Sequence, residues 1–568
     1  MTTSSFPRAP AGLDPASWPD LWLRLRDLEP RSLDAASVET FLRMWSEAAT
    51  LGNETMRLLQ IAVAQDTADQ EAADRHRRFM RDVFPAAQEA QQRLKEKLLG
   101  SGLCPLGFEE PLRHMRADAS LFRVANVPLL AQEQELEREY QSVIGARTVE
   151  WEGQEVPVSQ LGAVYQEHDR ERRERAWRVV AERQLADRET LDDLWQRNLQ
   201  LRLHITRNAE MPDYRAYRWN QLHRFDYSPD DGKLLDAAVE ELVVPALLRR
   251  RRLRQRQLGV TSLRPWDTSV DPQGRPPLHP FSTVGELIER TSIVLHRIDP
   301  QFGEYFELMR REGLLDLEAR PNKAPGGFAA SLPHSRRRFI FMNGGPPVHT
   351  AVMILLHEAG HAVHGFEMFH LPYYQQQLVG MEFAEVASTT MEFLGARHLV
   401  EAGFYTEADA ARGRIKHLEV ALESWSFQAM ADTFQHWIYE HPEEASDPAA
   451  LDAMWAGLQR RFLPGIDWSG LEDSLQTGWQ NLYHIFALPF YMIEYLIAQV
   501  GAVQIWERSL RDEQKAILAY RRALALGATA PLPELYRIAG ARFAFDATAL
   551  HSAVQLIESV LQELESVA

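Results

Sequence analysis

Two histidines four residues apart, His357 and His361, stand in the apolar run "AVMILLHEAGHAVHGF" (Ala351 to Phe366), with Glu358 directly after the first. On an α-helix, side chains at this spacing share one face, about 6 Å apart along the axis. Two imidazoles placed this way reach one Zn²⁺ at about 2.1 Å. Glu358 leans beside such an ion without ligating it, where it can hold and deprotonate a water. Three titratable groups among Val352, Leu355, Leu356 and Val363 are costly to bury. Either a bound cation or a set of core hydrogen bonds must compensate them. His364 falls about 10 Å along the helix from His357, too far to share an ion with both. It reads as an outer hydrogen-bonding group or a surface residue.

Zinc needs a third protein ligand and keeps one position open. A third histidine six residues beyond His361, with glycine three beyond it, is not available: those positions hold Glu367 and His364. The glutamate spacings of thermolysin-like and aminopeptidase zinc sites fall on Met381 and Gly380. The remaining source is "GMEFAEVASTTMEFLGARHL" (Gly380 to Leu399), a helical pattern after the loop "LPYYQQQLVG". Its Glu385 and Glu392 are seven apart and share a face with Ser388 and Thr389. Glu385 is therefore assigned to the metal, and Glu392 to a hydrogen bond on a ligand histidine.

The elements that position these groups are mostly helical. Asp34 is a candidate N-cap for a helix running through "VETFLRMWSEAATLGNETMRLLQIAVAQD". "ADQEAADRHRRFMRDVFPAAQEAQQRLKEKLLGSG" continues in kind and stops at Gly100–Gly102, and two more charge-laced helical stretches follow before residue 210. The Pro-, Gly- and Asp-rich segment from Leu258 to Phe281 reads as a loop or a hairpin-like excursion. The best strand is "RRRFIFMNGG" (Arg336 to Gly345), with a second strand around Phe328 to Leu332, and little else reads as sheet. The fold class is mainly α with a small β-sheet beside the zinc helix.

The chain has 568 residues, 45% hydrophobic and 25% charged, with a net charge of −18. An acidic chain is a poor partner for nucleic acid or anionic membranes, so neither is expected as a partner. The arginine run Arg249–Arg252, with Arg254 and Arg256, reads as a solvated helix face. The single cysteine, Cys104, forbids an intrachain disulfide and fits a cytoplasmic, reducing location. The first twenty residues lack a basic flank followed by an apolar run, so no secretory signal is expected. The stretch from Leu482 to Trp506 is long and apolar, but His484, Pro489, Glu494 and Gln499 argue for burial in protein rather than lipid.

"HEAGHAVH" followed by "FAEVAST..E" resembles the thimet oligopeptidase and oligoendopeptidase F family of zinc metallopeptidases. "GLLDLEARPNKAPGGFAASLPHSRRRFIFMN", "RPWDTSVDPQGRPPLHPF" and "HRFDYSP" are similar to its oligoendopeptidase branch. The likeness extends over roughly residues 200 to 510. It implies zinc ligands at His357, His361 and Glu385 and a general base at Glu358. "WQNLYHIFALPFYMIEYLIAQVGA" resembles the family's carboxy-terminal His/Tyr motif. With Pro489 in the first turn of a helix, Tyr491 and Tyr495 share a face, and His484 lies in the preceding loop. These donors suit the oxyanion of a tetrahedral intermediate, unless the tyrosines merely satisfy core polar groups.

The strand Arg338 to Met342 (Arg338, Phe339, Ile340 and Phe341 foremost) is expected to pair with an extended peptide. Gly326, Gly327, Gly344 and Gly345 would permit close approach there, or serve ordinary hairpin turns. The resemblance further implies a two-lobed, clam-like zincin with a deep central cleft. Residues 1–190 would form a lid-like helical lobe, and residues 191–568 the zinc-bearing lobe. The expected function is a zinc-dependent endopeptidase acting on short oligopeptides. A metallo-carboxypeptidase or dipeptidase on the same core, or an idle peptide-binding relative, are the alternatives.

Overall fold

The computed structural model describes residues 15–343 and 348–568, so Gly344 and Gly345 lie outside the described residues. Helices dominate it. Helix α1 (Val38–Gln65) follows a turn in which Asp34 accepts from the N–H groups of Ala36 and Ser37. Asp34 thus caps that turn rather than the helix itself. The next predicted helix is split into Gln70–Asp82 and Phe84–Ser101. Pro85 lies in the first turn of the second piece, where its missing N–H is tolerated.

Two small sheets are present. Strands β1 (Thr148–Trp151) and β2 (Gln154–Pro157) form a hairpin that the apolar pattern does not reveal. Its turn residues, Glu152 and Gly153, both have positive φ, 51° and 82°, the geometry a tight hairpin needs. The second sheet joins β3 (Leu315–Asp316), β4 (Gly327–Leu332) and β5 (Arg337–Met342) in the order β3-β5-β4. β5 pairs antiparallel with β4 (Ala329 opposite Ile340, Ser331 opposite Arg338) and parallel with β3 (Leu315 opposite Ile340). The segment 258–281 forms no hairpin; it holds a single 3₁₀ turn at Pro265–Asp267, and Leu263 makes one bridge to Ile466.

The principal core is built by α2 (Arg188–Asn208), α3 (Pro229–Leu258), α4 (His349–Met368), α5 (Met381–Gly395), α6 (Glu407–Glu440) and α7 (Met492–Arg511), with the sheet lying against α4. Two smaller apolar clusters join helices between Trp18 and Met115, one of them also taking in Tyr373. The arginine run on α3 is ion-paired rather than simply solvated. Arg249 meets Glu558, Arg250 meets Glu419 and Glu565, and the buried Arg251 meets Glu423 and the Leu463 carbonyl. The apolar stretch after Leu482 supplies α7, and no helix among the described residues is long and apolar enough to cross a membrane.

Candidate active site

Helices α4 and α5 cross at Gly360. A Cβ there would lie 2.6 Å from both the Ala387 carbonyl oxygen and the Ser388 Cα, so only glycine allows this approach. The crossing sets Glu385 opposite the two histidines. Its Oε2 is 3.3 Å from Nε2 of His357 and 3.7 Å from Nε2 of His361. Ligand atoms of the three residues all lie within 4.8 Å of one another. Three ligands about 2.1 Å from a tetrahedral zinc lie roughly 3.4 Å apart, so the donor set fits that ion. Ser388 Oγ donates to Glu385 Oε2 at 3.0 Å and steadies the carboxylate.

Around the cluster, Glu392 Oε1 lies 2.7 Å from Nδ1 of His357, which leaves Nε2 facing Glu385. The other oxygen of Glu392 meets Nε2 of His417 at 3.0 Å. Burial opposes ionisation of Glu392, but hydrogen bonds from His357 and His417 outweigh it and hold the carboxyl down at about 2. Burial likewise disfavours charge on His361, which falls to about 4, whereas on His357 burial is outweighed by the carboxylates of Glu385 and Glu392, which raise it well above the usual imidazole value. A cation held between the rings would favour the neutral form of both. Glu358 is buried. Its desolvation pushes it up to about 7, against the pull of His357 and of the Ala329 N–H on β4. A nearby divalent cation would lower it again, since an opposite charge favours the carboxylate.

His484, Tyr491 and Tyr495 come together. Ring centroids are 5.9 Å apart for His484 and Tyr491, 6.0 Å for His484 and Tyr495, and 5.0 Å for the two tyrosines. His484 stands on a short helix, Tyr483–Ala487, not in a loop, and α7 starts at Met492, after Pro489 rather than at it. Burial and then Glu385 push Tyr495 up to about 12, and burial raises Tyr491 further, so both phenols stay protonated donors. The intervening turn is held from several sides. Arg202 donates to the Ile485 carbonyl at 2.9 Å, Asn198 to that of Phe486 at 2.9 Å, and Arg218 to that of Pro489 at 3.1 Å. Phe490, a non-glycine with φ 63°, has its N–H taken by Gln435 at 2.6 Å and its carbonyl by Arg224 at 2.5 Å.

Two expectations are corrected. The strand Arg338–Met342 cannot add a peptide along its length, because β5 is the central strand and the side chains of Phe339, Ile340 and Phe341 are fully buried. The free edge belongs to β4, whose first residue is Gly327, preceded by Gly326 with φ 92°. His364 is not a surface residue: it is buried, its ring edge-on to Phe383 at 5.9 Å. His417 and Arg224 enter the site's surroundings without having been singled out by motif; Arg224 falls inside "HRFDYSP".

Fold and site together define a class: a mainly α protein organised around a His-Glu-x-x-His helix, with a carboxylate supplied by the next helix. The chain belongs to peptidase family M3, whose family model matches residues 163–554. It is 22% identical over 306 residues to an oligoendopeptidase F homolog of Mycoplasma pneumoniae, covering 51% of this chain and 49% of that one. It is 23% identical over 276 residues to oligopeptidase PepF of Bacillus subtilis, covering 46% of this chain and 39% of the relative. The chain thus spans half or less of the length of the curated relatives it matches. A crystal structure described as an oligoendopeptidase F superposes with a TM-score of 0.86 at 25% identity, over 100% of this chain and 98% of the other.

Proposed function

We propose that this chain is a zinc-dependent endopeptidase that hydrolyses internal bonds of short oligopeptides. The observation that carries this is the meeting of His357, His361 and Glu385 within 4.8 Å, with Glu358 next in sequence and buried beside them. Zinc, when bound by those three residues, supplies a Lewis acid that polarises the scissile carbonyl and acidifies water. Glu358 takes the proton from the attacking water and passes it to the leaving amine. His484 and one of the two tyrosines, Tyr491 or Tyr495, donate hydrogen bonds to the oxyanion as it develops. Glu392 keeps His357 in the tautomer that presents Nε2.

The peptide lies along the free edge of β4. The helices up to about residue 190 form a lid-like lobe facing the zinc-bearing remainder across a cleft. Two apolar clusters built almost wholly from residues before 116 support that division, although Leu58, Ile61, Leu121, Leu136 and Tyr140 join the principal core. A cytoplasmic location belongs to the same reading and is supported by the lone, exposed thiol of Cys104.

The test is chelator-sensitive cleavage of an internally quenched peptide by protein of known zinc content. Glu358→Gln should keep its zinc and lose nearly all turnover. A Glu358→Gln protein as active as the parent would remove the base assignment. Protein that binds no zinc and cuts no peptide would mark an idle relative, and product masses from a peptide library separate internal from terminal cuts.

A further inference from the structure

Side chains alternate across a strand, and on β5 this gives two adjacent arginines different fates. Arg337 is held by both oxygens of Glu312, at 2.5 and 2.8 Å. Arg338 points to the opposite face, towards α4, and its guanidinium lies where a Cβ on Gly365 would come within 2.6 Å. Its Nη2 donates to the His361 carbonyl at 3.2 Å, while its Nε is buried without a partner. No carboxylate among the described residues lies within 4.0 Å of it.

A second arginine without a carboxylate partner among the described residues lies on the helix packed against this sheet. Arg57 on α1 is exposed and, among the described residues, donates only to Gln60 Oε1, at 3.0 Å. One turn earlier on the same helix, Glu54 accepts from the Ser335 N–H at 2.8 Å, which pins α1 to the β4–β5 turn. After burial, the charge of Arg57 is the next largest influence lowering Arg338, to about 10, and Glu358 is the acid that opposes it. Arg338 is thus bonded to the backbone of His361, and Arg57 stands on the helix bonded to the turn three residues before Arg338, both without a carboxylate partner among the described residues in a chain of net charge −18.

The sheet register supplies the route to this pair. The Ile340 N–H donates to the Leu314 carbonyl at 2.9 Å, away from β4, so its partner Ala329 turns its own backbone groups outward. Alternation then gives the free edge of β4 to Gly327, Ala329 and Ser331. A peptide on that edge passes Glu358 at Ala329 and reaches Ser331, the register partner of Arg338.

We infer that Arg338 and Arg57 together bind one carboxylate of the peptide substrate, either an aspartate or glutamate side chain or the free terminal carboxylate. This rests on the peptidase reading above. A planar guanidinium pairs with a carboxylate through two parallel hydrogen bonds, and a charge-assisted contact of this kind is worth about 10- to 100-fold in affinity.

The experiment uses the zinc-loaded full chain and quenched peptides in which Asp or Glu replaces Asn or Gln at each position in turn. Each peptide is made with a free and with an amidated carboxy terminus. One position, or the terminus, should show kcat/KM at least about 10-fold higher for the charged form. The two arms say which source supplies the carboxylate. Arg57→Gln should bring that ratio close to one, and Arg57→Glu should invert it in favour of Lys at the same position. An unchanged ratio in both variants, or no charge preference anywhere in the parent, overturns the subsite. Should the parent cut none of the peptides, the peptidase reading fails. The charge dependence of peptide binding to zinc-loaded Glu358→Gln, read by fluorescence anisotropy, then decides the subsite alone.

Discussion

Nδ1 of His357 lies 2.7 Å from Oε1 of Glu392, and that carboxylate carries a second histidine, His417, 3.0 Å away on its other oxygen. A ligand imidazole held in this way has one tautomer and one orientation. Glu392→Ala should therefore weaken zinc affinity by about 10- to 100-fold while leaving all three ligands in place. His417→Ala, one bond further out, should cost less. Competition against a calibrated chelator measures both, and the order of the two effects checks the relay from His417 to His357.

A methyl group added at Gly360 meets the backbone of Ala387 and Ser388 at 2.6 Å, and backbone cannot swing aside as a side chain can. Gly360→Ala should push α4 and α5 apart, with an overpacking cost of about 1–3 kcal/mol. Because the same crossing sets the distance from Glu385 to the histidines, zinc affinity should fall together with thermal stability. Differential scanning fluorimetry with and without zinc reads both quantities in one experiment.

The donors opposite the metal cluster lead to a third prediction. Tyr491 and Tyr495 remain protonated because burial disfavours the phenolate in each. Tyr491→Phe and Tyr495→Phe each remove one hydroxyl and little volume. The tyrosine that meets the oxyanion should lose about 10²- to 10³-fold in kcat with KM nearly unchanged. The other should lose far less. Steady-state kinetics on a single quenched peptide assigns the roles.

How much of this was legible in the sequence follows from how far apart the interacting residues lie. His357, Glu358 and His361 are one turn of one helix, where residue spacing fixes the shared face. Glu385 and Glu392 are readable because two acids on one side of an otherwise apolar helix need a reason to be there. Strand order is not readable: β3 is only two residues long, too short to show alternation, yet it is what makes β5 central and leaves β4 as the edge. The short helix under His484 spans five residues, again too few for a period. The β1–β2 hairpin did carry a signal, glycine in a two-residue turn, but each strand has only four residues, too few for a clear alternation. Arg224 was out of reach for a different reason, since its partner Glu494 is 270 residues away.

That arginine gives the last prediction. Arg224 is fully buried; Nη2 donates to Glu494 Oε1 on α7 at 2.7 Å, and Nε lies 3.6 Å from Glu382 on α5. Glu382 is also held by the Tyr227 hydroxyl at 2.8 Å. Arg224 thus ties the first turn of the metal-carboxylate helix to the first turn of the tyrosine helix, and its bond to the Phe490 carbonyl fixes the strained turn between His484 and Tyr491. Removing it leaves two carboxylates facing each other in the interior. Breaking a buried pair from one side costs about 3–5 kcal/mol. Arg224→Met alone should therefore destabilise the protein severely, whereas Arg224→Met combined with Glu494→Met and Glu382→Gln should recover much of that loss. If Arg224 also sets the spacing between the helices, the recovered triple variant should bind zinc as the parent does yet keep a depressed kcat, because the tyrosines are no longer aimed. Denaturant unfolding together with kcat on one peptide separates the two contributions: a triple variant with both stability and kcat restored would leave Arg224 a structural role only.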